Sequence, residues 1–317
     1  MIDTTNDLSP EDNFQLNVLL SQSIDAIRLN ESKLILYAFM NEKEVSLKLS
    51  PNCHVDQYIK KIKECLSTRY LKSPAGYPVF LKRWTRTGEM KSDNIDNLLR
   101  IAEPEAIVAI THSDSITIRQ ANFAWWANPS TENAQQLLSN SNIAKSGLST
   151  ELSAFLLEFL PFETSSESIL NTMDLLLSNN LISDQEKSFL WKKGKRKAVY
   201  LIGFLQLGSE YLLENSNQKN DPAHYARHCI DALNRFSDAD SILSLYHSIP
   251  RFFNQLTDKP ENLQSEEYTA AQLLKTVDPS SLNLFFARNN AVGSLLRKKL
   301  KVDTEKIIVH LKVFVKE

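Results

Sequence analysis

Five cations stand within six positions at Lys192, Lys193, Lys195, Arg196 and Lys197. A run this dense can hold phosphates or carboxylates through salt-sensitive contacts. Two further basic groups occur, Lys82-Arg83 with Arg86, and Arg297-Lys298-Lys299 with Lys301. Trp84 and Trp191 lie beside two of the three. Charge with aromatic stacking is how single-stranded nucleic acid is bound. The plainer reading is a solvated helix end balanced by acidic neighbours. The formal net charge of −2 favours it, and it leaves the whole chain without long-range attraction for nucleic acid or an anionic membrane.

His224 and His228 are four apart, so on a helix they share one face, as metal ligands do. The metalloprotease form of that pattern needs Glu after the first His, where Tyr225 stands, and spacing announces no third ligand. They read as helix histidines, and no metal or cofactor is expected. Cys53, Cys65 and Cys229 form neither a disulfide framework nor a CxxC pair. Cys53 precedes His54, but adjacency in sequence does not make a nucleophile and its base. Glu103 with Glu105 and Asp238 with Asp240 sit where helices begin, where the dipole favours negative charge. Phosphate-binding glycine loops, GxSxG and dinucleotide fingerprints are missing from the sequence. No residue is therefore nominated as catalytic. Trp125 and Trp126, near Phe123, would point about 100° apart on a helix, which suits core packing better than one shared pocket.

The basic run is placed by its C-terminal neighbours. Ala198 to Leu207 is apolar apart from Gly203 and Gln206. A helix apolar on nearly every side is buried on nearly every side. At ten residues it falls short of the roughly 20 that cross a bilayer. Ser183 with Glu186 forms a capping box that launches this central helix, whose charged end reaches water.

Around it the chain reads in order. Residues 1–15 are a loose terminus, and 17–23 a turn or two of helix. Ala26–Leu29, Lys33–Met40 and Val45–Leu49 form an antiparallel meander joined by short polar turns, the last strand alternating as a half-buried one does. Val55, Tyr58, Ile59, Ile62 and Leu66 recur at helical spacing and would cover one face of it. Ser73–Pro78 is the clearest break. From Ser92 onward the pattern gives roughly ten helices with short polar connections. Ser113 or Asp114 would cap the helix through Ala127, and Pro161 would stop the one opened near Thr150. Pro250 would break or kink a helix over Ile242–Leu256, and Ile307–Val315 is β-branched enough to leave a strand open.

The expected fold is mainly α: a small N-terminal α+β unit (antiparallel meander plus helix, 1–72), a linker and short helix (73–91), then a large multi-helix domain (92–317), with an irregular α-solenoid as one form it could take. Gly is scarce, at 7 residues, which suits helices. The odd number of cysteines, the absence of a secretion-type start and the lack of a membrane span lead to a cytoplasmic expectation.

Five stretches resemble the DsrS family, cytoplasmic proteins encoded with the reverse dissimilatory sulfite reductase of sulfur-oxidising bacteria. They are Tyr77–Arg86, Glu103–Ile110, Ala124–Ala127, Phe155–Glu163 and Leu190–Leu205. The resemblance implies an accessory or regulatory role in sulfur oxidation and carries no catalytic residue with it. The expected function is thus non-catalytic, through a protein partner at Lys192–Lys197. The alternatives are a nucleic-acid-binding regulator using the same cations, and an enzyme or metal protein around His224 and His228.

Overall fold

Ser9 accepts a hydrogen bond from the Asp12 amide at 3.2 Å, and Pro10 fills the first helical position, so the chain turns into helix α1 (Pro10–Leu20) well before the predicted start at 17. A computed structural model of the protein describes residues 8–72, 92–208, 211–212, 221–257 and 263–315. The chain groups into two compact units, Met1–Phe155 and Leu156–Glu317. The helices between 92 and 155 thereby fall with the meander. The segment read as linker and short helix, 73–91, lies outside the described residues.

In the first unit β1 (Ala26–Asn30), β2 (Ile35–Met40) and β3 (Lys43–Lys48) pair antiparallel in sequence order, with Ala26 opposite Phe39 and Ile35 opposite Lys48. Asn41 and Glu42 both take positive φ, 50° and 60°, the signature of a two-residue type I′ hairpin. One face of the sheet carries Ile27, Leu36, Ala38 and Met40 into a core with α1 and α2 (Val55–Leu71), whose Tyr58, Ile62 and Leu66 are fully buried. Asp12, itself buried, accepts from the Ser50 amide at 2.7 Å and from the Tyr58 hydroxyl, tying the helices to the end of the sheet. The half-buried alternation predicted for β3 is not what forms. It is an edge strand, exposed except at Leu47, and its Lys43, Glu44 and Lys48 protect an unpaired edge.

The other sheet face meets α5. The helices here are α3 (Ser92–Leu98), α4 (Pro104–Thr111), α5 (Ile118–Ala127), α6 (Thr131–Ser139), α7 (Ser141–Ala144) and α8 (Leu148–Phe159). The cap of α5 is Thr117 in a reciprocal box with Gln120, rather than Ser113 or Asp114. Trp125 is buried, donates to Glu151 at 2.8 Å and packs edge-on against Phe155. Trp126 turns to the sheet, donating to Glu44 at 2.8 Å, while the Arg28 guanidinium lies 4.7 Å from its ring and 4.7 Å from that of Tyr37. The two tryptophans serve different neighbours, as their angular separation requires.

The second unit is helical throughout its described residues after a 3-10 turn at Leu160–Phe162 that contains Pro161. It comprises α9 (Ser166–Ser178), α10 (Asp184–Gly194), α11 (Ala198–Leu205), α12 (Pro222–Arg235), α13 (Ala239–Thr257), α14 (Ser265–Lys275), α15 (Ser280–Phe286), α16 (Gly293–Lys299) and α17 (Lys301–Lys312). All eight residues of α11 are buried, among α9, α10, α12 and α13. The mainly helical architecture behind a small α+β start is as expected. The break offered at Pro250 and the strand left open at 307–315 do not form. Helix α13 runs unbroken through Pro250, because Leu245, Ile249, Phe252 and Phe253 form one continuous buried stripe on both sides of it. That burial, roughly 1.5–3 kcal/mol per side chain, outweighs the loss of one helical bond. The strand left open at 307–315 is helix instead: Thr304, Ile307 and Leu311 are buried at helical spacing. Among the described residues, no helix is long and apolar enough to cross a membrane.

Candidate interaction surface

The expected single central helix is two helices, and the break between them makes the basic surface. Ser183 and Glu186 cap α10 reciprocally, the Ser183 hydroxyl and then its amide, each at 2.7 Å, donating to the Glu186 carboxylate and holding its pKa below the usual value. At the far end the chain reverses over Lys195, Arg196 and Lys197, with the amides of Arg196 and Lys197 both donating to the Lys193 carbonyl at 2.9 Å. Gly194 permits this. A β-carbon there would stand 3.1 Å from the Leu201 amide nitrogen, tighter than an ordinary contact, so glycine suits the close return of α11.

A residue that the sequence did not nominate closes the turn. Arg235, anchored to Asp231 at 2.5 Å, donates to the carbonyl of Gly194 at 2.8 Å and of Lys195 at 3.0 Å. It satisfies the carbonyl end of α10, where positive charge is favoured. No local pattern marks it, since its contacts lie 40 and 41 positions away. The next residue, Phe236, accepts at its carbonyl from Arg297 at 2.6 Å, and Ser237 from the Gly293 amide at 2.6 Å. The basic groups at 192–197 and 297–301 therefore flank one end of α12. The third, around Lys82, lies outside the described residues, as does Trp84.

Lys192, Lys195, Arg196 and Lys197 are exposed, and Lys193 is half-buried. Lys193 lies 4.7 Å above the Phe189 ring and 5.6 Å from that of Tyr200. Burial, then repulsion from Lys197, pulls its pKa down. Lys197 donates to the Glu163 carbonyl at 3.4 Å. The Glu163 carboxylate is committed to the amides of Ser165 and Thr164 and the Ser168 hydroxyl, with Lys197 nearby. These hold its pKa down against a modest effect of burial. Among the described residues, Lys192 and Arg196 have no carboxylate within ion-pair distance. In the second group three of the four cations are occupied: Arg297 by the Phe236 carbonyl, Lys299 by Asn289 at 2.6 Å and Lys301 by Glu305 at 3.5 Å.

Trp191 does not join the surface. It is buried edge-on against Phe204 and His228, both at 5.1 Å, and cannot stack on a base. His224 is buried with its Nε2 3.2 Å from that of His228. Among the described residues, no group of three or more His, Cys, Asp or Glu side chains is placed to hold a metal ion. Cys229 is buried below them, and burial drives its thiol pKa far up, which makes it an inert core residue. No protein-family model matches the chain, and no curated protein or solved structure matches it either.

Proposed function

We propose that this chain is a non-catalytic accessory or regulatory protein that holds an acidic partner protein on the turn Lys192–Lys197. The supporting observation is the solvent-facing turn itself: five cations, four of them exposed, are fixed in place by a fully buried helix on one side and by Arg235 on the other. A rigid array of like charge, two members of which lack an ion pair among the described residues, favours an anionic surface over random contact. The burial of Trp191 weighs against single-stranded nucleic acid, which would need that ring. The resemblance to the DsrS family supports a setting in cytoplasmic dissimilatory sulfur oxidation.

The test is capture on the immobilised chain at low ionic strength. The expected partner elutes as salt rises and the screening length shrinks from about 30 Å toward 3 Å. The triple variant Lys192→Glu, Lys195→Glu, Arg196→Glu retains none. Recovery of nothing by the native chain, or equal recovery by the variant, refutes the proposal. Micromolar binding of labelled RNA with a steep salt slope would transfer the surface to nucleic acid.

A further inference from the structure

A second polar feature lies in the same unit and owes nothing to the basic turn. Helices α9 and α13 and the end of α11 line a solvent-open cleft of about 370 Å³, within the size range of small-ligand sites. Its floor is built. The Gln206 side-chain amide donates to the Leu170 carbonyl at 2.9 Å and accepts from the Ser244 hydroxyl at 3.2 Å, while Ser248 donates to the Ser244 carbonyl at 2.5 Å. These contacts fix the orientation of the amide and leave one N–H and one lone pair of Gln206 uncommitted.

The walls carry charge of both signs. Asp174 stands on α9 beside Asn171. Arg251 stands on α13 with His247, one turn from it on the same face. Among the described residues Asp174 accepts one hydrogen bond, from the Ser178 hydroxyl at 3.1 Å. It makes no ion pair with Arg251, and Asn171, His247 and Arg251 have no side-chain partner among the described residues. A simple anion entering here would meet the Asp174 carboxylate, and a simple cation would meet the Arg251 guanidinium. A small molecule bearing both charges satisfies both walls. An ammonium has three donors, matching Asp174 and the side-chain oxygens of Asn171 and Gln206. A carboxylate matches the guanidinium fork of Arg251.

We propose that this cleft binds a free α-amino acid, carboxylate on Arg251 and ammonium on Asp174. The test is titration calorimetry of the full chain against a panel of free α-amino acids. At least one is expected to bind with a Kd of about 1 mM or tighter. Affinity should fall about tenfold or more with Arg251→Gln and with Asp174→Asn, each deleting a charge-assisted bond. Both side chains are exposed, so the fold should survive. A second arm needs no variant: N-acetylation or C-amidation of the ligand should cost the native protein the same affinity. No binding up to about 10 mM, indifference to both modifications, or equal competition by inorganic phosphate overturns the proposal.

Discussion

Gly203 sits in the middle of α11, where helix propensity alone would make alanine the better residue by about 1 kcal/mol. The packing reverses that sign. A β-carbon at 203 would lie 2.9 Å from both Cβ and Cγ of Met173 on α9, and 3.2 Å from its Cε. The flexible end of Met173 can move, but its Cβ is fixed to the helix, so α9 and α11 must separate. Overpacking of this kind costs about 1–3 kcal/mol. Relief by small backbone shifts and the propensity gain take back about 1 kcal/mol, which leaves Gly203→Ala destabilising by up to about 2 kcal/mol. Gly147 is the matched control: a β-carbon placed there would meet nothing within 4 Å and its φ is not positive, so Gly147→Ala should be neutral or stabilising by up to about 1 kcal/mol. The assay is urea denaturation of both variants beside the native chain, with hydrogen exchange of the α11 amides to localise the effect. Faster exchange across α11 and a lower midpoint for Gly203→Ala are expected. A midpoint equal to or above that of the native chain would refute the claim that close approach to Met173 selects glycine.

Glu42 occupies the second position of the type I′ turn at φ 60°, a conformation that costs a non-glycine residue about 1–2 kcal/mol. Glu42→Gly should therefore raise stability, by about 0.5–1 kcal/mol after the extra freedom of the unfolded glycine is deducted; a lower denaturation midpoint would count against the turn assignment. Asp12→Ala should cost about 3 kcal/mol, because it strands the Ser50 amide and leaves the Tyr58 hydroxyl only its long 3.4 Å contacts with Ser9, whereas Tyr58→Phe should cost about 1 kcal/mol; the reverse order in thermal melts would show that Asp12 is not the hub. Burial alone would raise the pKa of Asp238, yet bonds from Ser237, the Ser241 amide and Ser166 hold it below the usual aspartate value. Its contribution is therefore present above about pH 4, the unfolded value, and is lost as pH falls through the depressed folded one. Asp238→Asn should flatten the acid limb of a stability-versus-pH curve, and an unchanged acid limb would exclude this network as its source. Asp240 is shifted the other way, by burial and then by Asp238 and Glu167, so its ionisation opposes folding and Asp240→Asn should raise the neutral-pH midpoint; a fall would contradict the shift.

What was legible in the sequence is what depends on neighbours along the chain. The hydrophobic spacing of Tyr58, Ile62 and Leu66 placed α2, and the unbroken apolar run from Ala198 predicted a buried helix. Caps were legible where one candidate stood alone, as at Ser183 with Glu186. At α5 the true box, Thr117 with Gln120, competed with Ser113 and Asp114, and no local rule ranks them. The break after Gly194 was beyond such reading. It requires Leu201 to press on the glycine and Arg235 to reach across 41 positions to its carbonyl, and neither leaves a periodic mark. The same holds for the side of β3 that stays open, since exposure there follows from having only β2 as a partner.

The two proposed sites differ in visibility for a related reason. Repulsion among like charges is tolerated in sequence only where solvent screens it, so Lys192–Lys197 stands out as a cluster before any fold is known. The cleft between α9 and α13 is assembled from ordinary residues at 171, 174, 206, 244, 247 and 251, each unremarkable beside its neighbours. What distinguishes them is that Asp174 and Arg251 face a common space without neutralising each other. Exposed opposite charges gain little from pairing in water, so both groups stay available to a ligand that brings the complementary charges. Holding them apart across a floor fixed by Gln206 is a geometric property of three helices together. That is why a binding site for a small zwitterion can exist here with no motif to announce it, and why substitutions at Asp174 and Arg251 should alter ligand affinity while leaving the fold in place.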